Sequence, residues 1–81
     1  MSNRLTEYYS TSDLSCATAI SLFFPLCAID KSNPNKKAEF LFKREGKLDE
    51  LIESFWRGEL RVDPLKYFNQ LKNIKSRLYE K

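Results

Sequence analysis

The residues of this chain best suited to chemistry are its cations. Lys31, Lys36, Lys37, Lys43 and Arg44 crowd one stretch, and Lys66, Lys72, Lys75, Arg77 and Lys81 crowd another. Clustered ammonium and guanidinium groups neutralise phosphates, which makes Lys36, Lys37, Lys43, Arg44, Lys66, Lys72, Lys75 and Arg77 the expected nucleic-acid contacts. Asn69, Gln70 and Asn73 lie among the second group, and amide side chains can reach base edges. The competing reading is a hydrated helix face rich in Lys and Asn. No helix-turn-helix turn, aromatic RNA-binding strand motif or zinc finger accompanies the charges.

Bond-making chemistry finds far less support. Histidine is absent, which removes imidazole acid–base catalysis and every histidine metal ligand. Cys16 and Cys27 are the only thiols and cannot complete a four-ligand zinc site. With Gly46 and Gly58 as the only glycines, neither a phosphate-cradling loop nor a dinucleotide fingerprint can be written. Asp49, Glu50 and Glu53 read as the solvated face of a helix, and Ser10, Ser12, Ser15 and Ser21 have no general base beside them. The expectation is a non-enzymatic protein without cofactor or metal. Both cysteines, set among apolar neighbours, are expected to be buried free thiols.

The elements that must position the cations can be read from periodicity. Residues 5–9, with Tyr8 and Tyr9, suit an edge strand or an extended arm. Ser10 and Asp13 have the spacing of a capping box, with Thr11 as an alternative cap. Leu14, Ala17, Ile20 or Ser21, and Phe24 then recur at helical spacing until Pro25. Residues 26–30 and 38–43 alternate like strands around an Asn- and Pro-containing turn, so a β-hairpin with a long loop is predicted. Its second strand puts Ala38, Phe40 and Phe42 on one face and Glu39, Leu41 and Lys43 on the other.

Leu48, Leu51, Ile52, Phe55 and Trp56 form the clearest apolar stripe of the chain, and Gly58 is placed to close that helix. Asp63 followed by Pro64 predicts an N-cap and first helical residue. The last helix would bury Tyr67 or Phe68, Leu71, Ile74 or Lys75, and Leu78. The fold class is therefore α+β, a single domain over residues 1–81. Its order is helix, β-hairpin, helix, helix (α-β-β-α-α), with room for an N-terminal strand from residues 1–9 beside the hairpin.

The net charge of +3 hides segregation: residues 1–30 carry −2, 31–44 carry +4, 45–63 carry −3 and 64–81 carry +4. The N-terminal residues lack a secretory apolar stretch, and no apolar run is long enough to span a bilayer. A cytoplasmic protein without a membrane partner is expected. Eleven aromatic residues are plentiful for 81 positions, which raises a rival role: a protein–protein adaptor or homodimer. Its aromatic interface would use Tyr8, Tyr9 and Trp56.

Three segments carry a resemblance: Tyr9-Ser10-Thr11-Ser12-Asp13-Leu14, Phe40-Leu41-Phe42-Lys43-Arg44 and Tyr67-Phe68-Asn69-Gln70-Leu71-Lys72. The chain resembles a family of short bacterial and phage proteins classed as a domain of unknown function. These open with a Tyr-x-Ser/Thr-x-Asp-Leu segment, continue into an Ala-rich helix and carry an aromatic strand in mid-chain. The resemblance implies a small stand-alone α+β fold and a mobile-element or phage setting, and transfers no catalytic or binding residue.

Overall fold

The computed structural model describes residues 7–79. Its elements run β1 (Tyr8–Thr11), α1 (Leu14–Ser21), β2 (Ala28–Asp30), β3 (Glu39–Lys43), α2 (Gly46–Trp56) and α3 (Pro64–Leu78). The class is α+β, and the chain opens with a strand, so the observed order is β-α-β-β-α-α and the expected α-β-β-α-α is only approximate. The first six residues of the expected N-terminal arm, and Lys81 of the last helix, lie outside the described residues.

The predicted hairpin forms the antiparallel pair β2–β3, and β1 adds antiparallel to the other edge of β3, giving the order β1-β3-β2. Pairing sets Tyr9 opposite Phe42, and Thr11 and Ile29 opposite Phe40. Side chains alternate across a strand, so these five share the face that meets the helices. Phe40 and Phe42 are buried there, whereas Glu39 and Lys43 on the alternate positions are exposed. The molecule measures 34 × 33 × 19 Å, and its thin dimension accommodates one sheet and one layer of helices.

Helix α1 is the hub. Cys16, Ala17, Thr18, Ala19 and Ile20 are all buried, because small side chains let α2 and α3 approach it from either side. The buried Thr18 hydroxyl donates to the Leu14 carbonyl (2.8 Å), so the core carries this polar group without an unmet hydrogen bond. Leu48 from α2 and Ile74 from α3 complete the core around Cys16, Ala17, Ile20, Phe40 and Phe42.

Three local readings need correction. Ser10 is not the helix cap and the capping box does not form. Pairing with β3 holds Ser10 and Thr11 in strand β1, and Asp13 itself becomes the N-cap, accepting from the Cys16 amide at 3.0 Å and the Ser15 hydroxyl at 2.6 Å. Helix α1 stops at Ser21, four residues before Pro25. Only Cys16 of the two thiols is buried; Cys27 is exposed beside the short edge strand β2, where Leu26 and Ile29 take the inward positions.

Two other readings describe the structure well. Gly58 adopts φ +74° at the end of α2, its amide donating to Phe55 O and the next amide, of Glu59, to Ser54 O, the paired bonds of a Schellman turn. Asp63 caps α3 through the amides of Leu65 (2.8 Å) and Lys66 (3.2 Å), and Pro64 takes the first helical position.

Candidate functional site

The cationic helix α3 is fixed from its inner side. Ile74 is buried and Tyr67, Leu71 and Leu78 are half-buried, which settles the alternatives at these positions in favour of Tyr67 and Ile74. The Tyr67 hydroxyl donates to the Ser15 carbonyl (3.3 Å), and Gln70 Nε2 donates to the Ser21 hydroxyl (3.0 Å), tying α3 to α1. Gln70 also accepts from Asn73 Nδ2 at 3.5 Å, so of the three amides named from the sequence Gln70 is engaged in holding α3 to α1, while Asn69 and Asn73 are exposed.

The last turn of α3 meets the hairpin loop. Lys31 Nζ donates to the Leu78 carbonyl at 3.0 Å, a cation at the negative end of the helix dipole. Lys37 from the same loop shares a cleft of about 820 Å³ with Leu78 and Tyr79, floored by Phe40 and bounded by Asp13. Hydrogen bonds from Ser15 and the Cys16 amide hold the Asp13 carboxyl below the usual carboxylate range, and the nearby Lys37 ammonium adds to the effect.

The eight sequence-nominated cations therefore divide. Lys37 lies in the loop beside the last turn of α3, which carries Lys75 and Arg77, and Lys72 is one to two turns back along the helix; Lys36 is in the same loop but lines a separate hollow with Asp30 and Glu39. Lys66 sits in the first turn of α3, at the far end. Lys43 and Arg44 leave β3 at the end opposite the hairpin loop, and Arg44 Nε lies 3.9 Å from Asp49 Oδ1. Among the described residues, the other seven have no carboxylate partner within 4 Å.

The aromatic residues proposed for an interface also separate. Tyr8 (41% exposed) and Trp56 (60%) face solvent, Trp56 lying edge-on to Phe55 with ring centroids 4.9 Å apart. Tyr9 packs against the core, its hydroxyl 3.9 Å from Cys16 Sγ; burial pushes the ionisation of both groups up. Tyr9 thus belongs to the interior face of the sheet.

Sequence reasoning missed a stripe on the outer side of α3. Leu65, Phe68 and Tyr79 are 68%, 53% and 77% exposed, and with Lys72 they recur at steps of three, four and seven residues, so they share one side of the helix. Lys72 Nζ lies 4.8 Å from the Phe68 ring centroid. The signal was available, since these positions fall off the Tyr67, Leu71, Ile74 and Leu78 face and needed a second destination.

No described helix is long and apolar enough to cross a membrane, and the described residues contain no cluster of His, Cys, Asp or Glu able to hold a metal. No curated protein and no solved structure matches the chain. Residues 6–80 match the domain of unknown function DUF5659, and the chain belongs to that family.

Proposed function

We propose that this domain is a non-catalytic binding module that engages nucleic acid through α3 and the hairpin loop beside its C-terminal end. One observation carries the reading. Residues 64–78 hold Lys66, Lys72, Lys75 and Arg77 with no acidic residue, and none of the four has a carboxylate within 4 Å among the described residues. Of the three acids of α2, Glu53 pairs with Arg57 and Asp49 faces Arg44, and Glu50 has no cation of α3 within 4 Å among the described residues. A rod of uncompensated cations repels itself, and a polyphosphate partner relieves that repulsion while releasing its own counterions. A cytoplasmic setting suits two free thiols.

The test is fluorescence anisotropy with a labelled oligonucleotide at low and at moderate salt. Three or four phosphate contacts should weaken binding on the order of tens-fold between about 50 and 200 mM NaCl. The double charge reversal Lys72→Glu, Lys75→Glu should abolish it. Absence of binding at the lower salt contradicts the reading.

Trp56 supports a second reading, an adaptor or homodimer built on the exposed end of α2. Light scattering should then find a dimer that Trp56→Ala dissociates. A monomer at high protein concentration speaks against the homodimer.

A further inference from the structure

We infer that the nucleic acid is single-stranded, with one base stacking on Phe68 and another on Tyr79 while Lys72 and Lys37 meet neighbouring phosphates. The inference rests on the nucleic-acid reading above and adds the strand state and the stacking positions. Its ground is an exposed ring on α3 with a cation against its face, together with a second exposed ring, at the C-cap of α3, beside a cleft that a loop lysine also lines. Phe68 stands with Lys72 Nζ 4.8 Å from its centroid, and Tyr79 stands at the rim of the cleft that Lys37 also lines.

Rings exposed beside cations form the platform on which unpaired bases stack, and every base offers such a face. A duplex covers those faces with neighbouring base pairs and would leave both rings in water. Tyr79, the C-cap of α3, follows Phe68 by eleven positions, an axial distance of about 16 Å at the helical rise. One mononucleotide cannot reach both, so the fitting ligand is a chain of nucleotides. An exposed cation–π contact is weak, so Lys72 can swing to a phosphate while a base takes the ring face.

The cleft beside Tyr79 favours a base over a lipid headgroup. Its volume, about 820 Å³, admits a nucleobase, and Asp13 on its wall is an ionised, acceptor-only group. That carboxylate can accept a hydrogen bond from an exocyclic base amine, a donor that a headgroup phosphate does not carry. Stacking requires no base-edge readout from α3.

The experiment compares a labelled mixed-sequence 20-mer as a single strand and as a duplex. Wild type, Phe68→Ala and Tyr79→Ala are measured, each checked for folding by circular dichroism, which these exposed substitutions should leave unchanged. The single strand should bind at least about tenfold more tightly than the duplex. Each ring removal should weaken single-strand binding by roughly five- to a hundredfold without changing its salt dependence.

Equal affinity for both forms, with no effect of either substitution, overturns the stacking inference and leaves the nucleic-acid reading standing. No binding of either form at low salt overturns both. Binding to phosphatidylserine-containing vesicles that Phe68→Ala abolishes, with no oligonucleotide binding, assigns the stripe to a membrane surface and also overturns both.

Discussion

Cys16 and Cys27 show how far residue type alone can mislead. Both sit in apolar sequence, yet only Cys16 is enclosed, because α1 is surrounded whereas β2 is a three-residue edge strand. Burial also pushes the Cys16 thiol up, away from the reactive thiolate. A thiol reagent added to the native protein should therefore modify Cys27 rapidly and Cys16 only after denaturant is added, as peptide mass spectrometry will show. Rapid labelling of both would contradict the packing of α1.

Asp13 makes a pH prediction at the same scale. Its folded carboxyl is held below the ordinary range by Ser15 and the Cys16 amide, so it contributes stability that is present above the unfolded carboxylate range and lost as pH falls toward the folded value. Asn keeps the capping acceptor but does not titrate. Between pH 7 and pH 3, urea denaturation should show a smaller stability loss for Asp13→Asn than for wild type. Equal losses would mean that the cap is not coupled to ionisation. The sequence placed Asp13 at the helix start, but the identity of the cap depended on pairing of Ser10 and Thr11 with β3, a contact some thirty residues away.

Helix ends with local causes were legible, and those with distant causes were not. Asp63-Pro64 specifies the start of α3 within the residues that form it, and Gly58 specifies the end of α2 because φ +74° disfavours any side chain. Nothing lies within 4 Å of a side chain added at Gly58, so Gly58→Ala should destabilise through backbone strain alone, by about 1 kcal/mol. Asp63→Ala should cost a similar amount, about 1 kcal/mol, by leaving the Leu65 and Lys66 amides without their cap. Chemical denaturation measures both, and a neutral result at Gly58 would argue against the left-handed turn. The outer stripe of α3 went unread because an exposed Leu65 or Phe68 does not announce itself until the inner face is known to be filled by Tyr67, Leu71, Ile74 and Leu78.

At the scale of the whole molecule, the pattern of burial follows from a short list of side chains meeting at α1. Phe42 is completely enclosed and anchors the central strand, so Phe42→Ala should cost on the order of 3–5 kcal/mol and leave a domain of this size largely unfolded by circular dichroism. The alternation of Phe40 and Phe42 made that anchor readable in advance. The grouping of Lys37 with the last turn of α3 was not, because it depends on a tertiary approach of the loop to the helix, seen also in the contact between Lys31 and Leu78. Charge segregation along the chain thus becomes spatial segregation only in part: the end of α3 and the loop gather cations, while Arg44 is drawn to Asp49.

The central claim is that uncompensated cations on α3 meet phosphates. It is tested most directly by the slope of log binding constant against log salt for a labelled single strand, in wild type and in Lys72→Gln. A negative slope that becomes shallower by roughly 0.7 on loss of this one contact is predicted. A flat slope in the wild type, or one that Lys72→Gln leaves unchanged, would contradict it.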